Sequence, residues 1–353
     1  MIIKKYFAII FITLLFIPTI TVGQSKVGTT AAPFLTIGVG FRPIGMGGAF
    51  VSICDDATAL YWNPAGLARL DKSEVLLVHT QYLADMSFNF LGAIFKLPNN
   101  SAIGVSATML DVGEMEVTTE FEQDGTGIYF DSYDLAMAVT YSYMFYDQFT
   151  IGVNFKYIHQ QIWHESANGF AFDIGTLLLT PIENMRLGMN ISNFGTDMQM
   201  GGNDLLYTID PDETKSGNNE NVFADVRMDK WQLPLTMRVG LSGEVIKTER
   251  ERLTLAMDWV HPNDNLECID TGMEYSYMNL IALRAGYKSL RPSINTDPNF
   301  RIILSPRDSG GGATFGGGLQ FNINPALKFK IDYAYESYDR LGSIHKYSMA
   351  FMF

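Results

Sequence analysis

The sequence predicts an all-β chain: a transmembrane antiparallel β-barrel of about fourteen strands. Three observations carry that expectation. Apolar and polar residues alternate in segment after segment, the connections between segments alternate in length, and the chain closes on an alternating strand ending at Phe353.

The first stretch stands apart from the fold. Lys4 and Lys5 precede an apolar run from Tyr6 to Ile17, and small residues follow up to Gly23. This is the layout of a cleaved signal peptide over residues 1–23, with a mature chain beginning near Gln24. Pro18 and the polar TIT segment cut the run short of a spanning helix, and no Cys follows it to carry a lipid. Loss of the two lysines takes the net charge from −13 to −15 (−13 − 2), so nucleic acid is excluded as a partner. Only two cysteines are present, Cys54 and Cys268, too few for a disulfide scaffold. An exported chain could bond them, but two unrelated thiols are expected.

Hydrophobic residues make up 47% of the chain, yet no later segment is apolar without a break for the length of a spanning helix. The apolar content is dispersed with period two. Leu327, Phe329, Ile331, Tyr333 and Tyr335 share one face, opposite Lys328, Lys330, Asp332, Ala334 and Glu336. Leu253, Leu255, Met257 and Trp259 oppose Thr254, Ala256 and Asp258, and the last strand places His345, Tyr347, Met349, Phe351 and Phe353 together. Strands are expected to begin near Glu74, Met86, Ser101, Ser132, Gln148, Asn168, Asn184, Trp231, Arg252, Cys268, Leu280, Ala313, Ala326 and Ile344. Many run about ten residues or more, the length a tilted strand needs to cross a bilayer.

LPNN, YDQ, TPIEN, YMN and NINP are tight turns at even-numbered connections, while Asp111–Asp131, Gly195–Lys230 and Ser289–Gly312 are long and of opposite parity. Segregation of loop length by side marks an outer-membrane barrel, with both barrel ends on the short-turn, periplasmic side. A soluble β protein has no reason to sort its loops in this way. Outward Tyr141, Tyr143, Trp259, Tyr275, Tyr277, Tyr335 and Phe353 would then form interfacial aromatic belts.

Parity assigns an inward, lumen-lining set: Lys156, Asp173, Arg238, Asp258, Glu274, Arg284, Lys288, Lys328, Lys330, Asp332 and Glu336. Cross-strand ion pairs and a selectivity filter are both open to such a ring. The long loops are acidic: Asp111, Glu114, Glu116, Glu120, Glu122, Asp124 and Asp131 occur without a basic residue between them. Gly195–Lys230 adds Asp210, Asp212, Glu213 and Glu220, and is long enough to form a cap or docking surface.

Catalysis finds little support. Asp55 and Asp56, in DDATALYWNPAG, have no base, nucleophile or metal-spaced partner beside them. His159 and His164 differ by an odd number, so a continuous strand turns them to opposite faces. His261 beside Asp264 could be a dyad, but HPNDN is ordinary turn chemistry. No Gly-x-Ser-x-Gly and no His-Glu-x-x-His occurs, and the glycines of IGVGFRPIGMGG lack the Lys-Ser/Thr of a phosphate loop. Neither a cofactor nor a metal site is expected.

GVGFRPIGMGGAFVSICDDATALYWNPAGLARL resembles the N-terminal region of PorV/PorQ-family proteins, within the FadL-like outer-membrane barrels. Further resemblances run along the chain in HTQYLADMSFNFLGA, ISNFGTDMQMGGNDL, DWVHPNDN and LRAGYK. The resemblance implies a fourteen-strand barrel (residues 73–353) with an N-terminal plug, or hatch (residues 24–72), inside it. It maps the plug motif to Asn63, Pro64 and Ala65, with Asp55, Asp56, Trp62 and Gly66 around them. Asp55 and Asp56 are then expected to anchor plug backbone or to pair with lumen arginines. Cys54 departs from the small apolar residue expected before the Asp pair. PorV-like members imply type IX secretion: binding exported proteins that carry a C-terminal sorting domain, in a membrane of lipid and lipopolysaccharide. FadL-like members imply uptake of long-chain fatty acids or other hydrophobic molecules.

Overall fold

A computed structural model describes residues 28–212, 214, 221–294, 302–305, 312–324, 327–337 and 342–353. The expected signal peptide, with Lys4, Lys5 and Gly23, lies outside the described residues, as do Glu213, Glu220 and Ala326. No described helix is long and apolar enough to cross a membrane; the crossing elements are strands.

Fourteen of them form the wall: β1 (Glu74–Gln81), β2 (Ser87–Leu97), β3 (Ser101–Glu116), β4 (Tyr129–Tyr146), β5 (Phe149–Ile162), β6 (Glu165–Leu179), β7 (Met185–Gly195), β8 (Thr236–Lys247), β9 (Glu251–Pro262), β10 (Cys268–Tyr277), β11 (Ile281–Ile294), β12 (Ala313–Asn322), β13 (Lys328–Ser337) and β14 (Ser343–Met352). Each pairs antiparallel with the next, and β14 pairs with β1 from Glu74↔Met352 to Thr80↔Lys346, which closes the sheet and removes both edges. The turn between β2 and β3 places Asn99 and Asn100 at φ of 61° and 57°, the left-handed geometry a tight hairpin needs and asparagine tolerates.

Three boundaries differ from the sequence expectation. The eighth strand starts at Thr236 rather than near Trp231, because Pro234 has no N–H to give to the ladder. Trp231 instead makes an isolated bridge with Met198 in the preceding loop. The acidic stretch Asp111–Asp131 is strand at both ends, with β3 and β4 extending as a ribbon to Glu116 and from Tyr129. β11 likewise continues to Ile294 and pairs with Ile302–Ser305.

Outward residues such as Leu77, Leu91, Val139, Phe172, Leu283 and Met349 are exposed and apolar, as a lipid-facing surface requires. The opposite face of the same strands buries Thr140, Ser142, Asn154, Asp173, Asp258 and Glu274. What buries them is the N-terminal segment, residues 28–72, which runs inside the cylinder. It begins at the long-loop end, where the Ala31 N–H donates to the Gln232 carbonyl (2.8 Å) and the Thr30 hydroxyl to Asp264 (3.1 Å). It leaves at the short-turn end, where Arg69 donates to the Asp147 carbonyl and Lys96 to that of Ala68. Between those ends, residues 41–45 lie against β12 and β13, and residues 64–69 against β4 and β5.

Candidate functional site: the filled lumen and the long-loop rim

The segment inside the barrel is short on regular structure because its backbone is held by the wall. Asn63 does three jobs. Its side-chain oxygen accepts from the Ala65 N–H (3.1 Å), capping the turn that Pro64 begins. Its amide donates to the carbonyls of Val51 (2.7 Å) and Thr176 (3.0 Å), tying two parts of the segment to β6. Trp62 donates from its indole N–H to the Val39 carbonyl (2.7 Å), packs edge-on against Tyr61, and lies under the Arg238 guanidinium at 4.8 Å. Asp258 on β9 accepts from both the Phe50 and Val51 N–H groups (2.8 and 2.9 Å). Ala65 is fully buried, and a Cβ on Gly66 would fall 2.1 Å from the Cys54 carbonyl oxygen.

Inward glycines on the wall make room for this backbone. A Cβ at Gly152 would lie 2.2 Å from the Pro64 carbonyl carbon, at Gly188 2.3 Å from the Val51 oxygen, and at Gly286 2.3 Å from the Gly47 nitrogen. Contacts this close leave space for hydrogen alone. They occur on strands β5, β7 and β11, so the fit extends around the lumen.

The charges gather on one side. Arg42 sits at the centre, buried, with Nε and Nη2 forming a two-pronged pair to Glu274 on β10 (2.7 and 2.9 Å) and Nη1 reaching Asp55 and Asp56 (3.0 Å to Asp56). Glu274 also accepts from Arg284 on β11 (2.7 Å), which reaches Asp332 on β13 (2.7 Å). Lys330 bridges Asp332 and Asp56, at 3.3 Å each, and completes a circuit of three acids and three bases. Burial opposes ionisation of Asp56, but Lys330 and Arg42, with hydrogen bonds from Thr58 and Arg42, hold its carboxyl well below the usual range. For Arg42, burial works the other way from Asp55, Glu274 and Asp56, and the acids win, raising it well above its ordinary value.

The remaining inward residues join separate groups. Lys156 pairs with Asp173 (2.7 Å) and donates to Asn193 (2.8 Å). Glu336 lies between Lys288 and Lys346, at 2.6 Å from each. Lys328 stands at the short-turn end of β13, half-buried and outside these groups. Asp55 additionally faces Arg186 on β7 at 3.7 Å.

Arg42, Arg186, Lys346 and Asn190, whose amide donates to the Trp62 carbonyl (3.0 Å), take part without being singled out by the sequence. Arg42 lies in an irregular segment 232 positions from Glu274, and spacing cannot pair residues so far apart. Cys54 and Cys268 are buried and not bonded to each other; burial, reinforced by Asp258, Asp56 and Asp55, pushes the Cys54 thiol well up. His261 pairs with Glu267 (2.9 Å) rather than Asp264, which takes the Thr30 hydroxyl. Among the described residues no cluster of three potential ligands could hold a metal.

A cavity of about 20 Å³ lies between Tyr61, Trp62, Lys156, Asn193 and Arg238, room for one water rather than a hydrocarbon chain. At the opposite extreme is the rim. The loop between β7 and β8 pairs Gly201–Gly202 with β6 and folds Leu206–Ile209 against Val222–Asp225 as a separate hairpin. Leu206, Tyr207 and Ile209 are exposed there, as is Phe223 at 78%. The loop's base is buried at Met198 and Leu233, close to the start of the lumen segment.

Residues 21–180 match the family model described as type IX secretion system protein PorV. That match spans 160 of the 353 residues, so over its N-terminal part the chain is similar to PorV proteins. Its fold is FadL-like. It is similar to the monoaromatic hydrocarbon channel CymD, with a TM-score of 0.55 at 13% identity over 90% of this chain and 97% of that one. It is also similar to the toluene transporter TodX of Pseudomonas putida, with a TM-score of 0.54 at 14% identity over 88% and 96%. At these identities the likeness is one of fold. No curated protein matches the chain. The family match and the fold together put this barrel in the outer membrane; in such barrels short turns face the periplasm and long loops the outside.

Proposed function

We propose that this barrel is a non-enzymatic docking protein for exported cargo, and that residues 28–72 are a stationary plug rather than a gate. The observation that carries the reading is the contrast in what is exposed. The lumen is occupied by backbone pressed onto inward glycines and by a buried charge circuit, with small cavities of about 20 Å³ beside Trp62 and about 10 Å³ beside Arg42. The outer rim carries a 40-residue connection (residues 196–235) with Leu206, Tyr207 and Phe223 bare to solvent. Exposed aromatics at the end of a membrane barrel fit a protein partner. The family description supports a secretion role, and its cargo is taken to be proteins with a C-terminal sorting domain. Lipopolysaccharide and outer-membrane lipid surround the wall.

Uptake of long-chain fatty acids or other hydrophobic molecules is the second reading. The FadL-like fold favours it, since CymD and TodX are described as a hydrocarbon channel and a toluene transporter. Gentle purification from the native membrane distinguishes the two: co-purifying surface proteins support docking, whereas bound lipid or hydrocarbon alone overturns it.

A further inference from the structure

The chain has five histidines, and all five stand at the long-loop end of the barrel. His79, His159, His261 and His345 lie near the outer ends of β1, β5, β9 and β14, on the outward parity, and His164 lies in the turn after β5. Each is beside an aromatic side chain: His345 beside Tyr333 and Tyr335, His159 beside Tyr133, His261 beside Trp259, His164 beside Trp163, and His79 opposite Tyr347. The periplasmic aromatic belt, with Tyr143, Phe145, Phe149, Phe329 and Phe351 in ring contact, contains no histidine. The difference between the two rims is therefore chemical as well as positional.

In all five the engaged ring atom is Nδ1: to Asn89 for His79 (2.7 Å), Asn168 for His159 (2.8 Å), Asp204 for His164 (2.9 Å), Glu267 for His261 (2.9 Å) and Tyr333 for His345 (2.7 Å). An Asn oxygen accepts, so Nδ1 of His79 and His159 carries the proton and Nε2 is left for an outside partner. Protonation converts that Nε2 into a charged donor.

Two of these residues flank the closure of the barrel, His79 held by Asn89 on β2 and His345 by Tyr333 on β13. His79 is directly opposite Tyr347, and His345 is two residues further toward the rim on the same strand, so the two imidazoles are diagonal neighbours on one face across the β14–β1 closure. Their outward neighbours on the four strands are Gln81, Asn89, Tyr333, Tyr335 and Tyr347, all uncharged near neutral pH. Asp85, in the turn after β1, is the described carboxylate of the adjoining loop. Among the described outward residues of these four strands there is no carboxylate, and the outward acid of the same row is Asp111 on β3, opposite Ser87. By contrast His164 and His261 are each held by an acid.

We propose that His79 and His345 form a docking seat for the phosphorylated headgroup of an outer-leaflet lipid, each imidazole donating from Nε2 to phosphate oxygen. The outward, rim-level position selects a lipid phosphate as the occupant, because the strand face below it is apolar and lipid-covered: Leu77 and Leu91 follow toward the membrane centre. Flanking tyrosines suit the boundary between headgroup and acyl chain. The seat rests on the orientation of the barrel and not on the cargo reading.

The test uses the full chain in vesicles of phosphatidylethanolamine doped with lipid A, extracted gently and assayed for retained lipid A by mass spectrometry. An ordinary imidazole is mostly charged at about pH 6 and mostly neutral at about pH 8. The expected result is several-fold more lipid A retained at the lower pH, with the difference abolished in the H79Q/H345Q double variant and kept in H261Q. Heat-modifiable gel migration checks that the variants fold, and the pH dependence of the unaltered protein is a readout that needs no variant. Equal retention at both pH values overturns the proposal, as does an unchanged pH response in a folded double variant. Loss of the difference on adding inorganic phosphate, with no effect from an equal ionic strength of chloride, supports recognition of the phosphate group. Equal loss with chloride reduces the effect to general screening and overturns the seat.

Discussion

The lumen and the outer rim of this barrel are built on opposite principles. In the lumen, polar groups of residues 28–72 such as Arg42, Asp56, Asn63 and the Phe50 and Val51 N–H groups meet wall residues, and side chains are deleted to glycine where backbone must pass. On the rim, the hairpin of Leu206–Ile209 and Val222–Asp225 pairs only with itself and leaves aromatics in solvent. Over-determined contacts suit a part that stays in place, and unsatisfied apolar surface suits a part that waits for a partner. Substitutions should therefore cost stability inside and binding outside.

The largest effect is expected from filling the wall. Gly286→Val and Gly188→Val place side-chain carbon where the backbone of Gly47 and Val51 already lies, so neither variant should give the heat-modifiable folded band. Leu283→Val, on the outward face of the same strand as Gly286, should migrate like the unaltered protein. If Gly286→Val folds normally, the lumen segment is not seated as described.

Removing the hub of the charge circuit comes next. Arg42→Met leaves Glu274 and Asp56 with Arg284 and Lys330 but without their shared cation. Breaking a buried pair costs about 3–5 kcal/mol, and the surviving partners put this change toward the lower end. A urea midpoint unchanged from the unaltered protein would contradict the circuit.

Smaller still is the acid limb. Because the folded carboxyl of Asp56 titrates below its unfolded value near 4, its contribution to stability is complete above that value and is lost as pH falls toward the folded one. The difference in thermal midpoint between the unaltered protein and Asp56→Asn should hold between about pH 7 and pH 5 and shrink below about pH 4. Asp56→Asn should be the lower of the two. A difference shrinking already near pH 6 would point to groups other than Asp56.

Trimming the rim is expected to leave stability nearly unchanged. Deletion of residues 203–228 removes a hairpin whose described strands pair only with each other, along with the Asp204 contacts to His164 and Glu165, and should preserve the folded band. Loss of that band would mean that the loop is structural.

How far the sequence carries differs between the same two regions. Alternation is a local property, so wall strands are legible wherever period two holds, as from Leu327 to Glu336, and the parity of connections orders them into a barrel. The inward set follows from the same counting. The partners of Asp56 do not, since Lys330 is 274 positions away and Arg42 sits in a segment with no period. Glycine is the missed signal: inward Gly152, Gly188 and Gly286 break strands that otherwise favour larger residues, and each marks where the segment passes. At the rim the sequence shows acidity and length, but the exposed aromatic hairpin appears only once the loop is folded.

Co-purification bears most directly on the central claim. The barrel should be extracted gently from its native membrane, with and without residues 203–228, and everything retained identified by mass spectrometry. The account predicts surface proteins sharing a C-terminal domain with the intact rim and their loss from the trimmed barrel. Bound lipid or hydrocarbon alone, unaffected by the trimming, would contradict it.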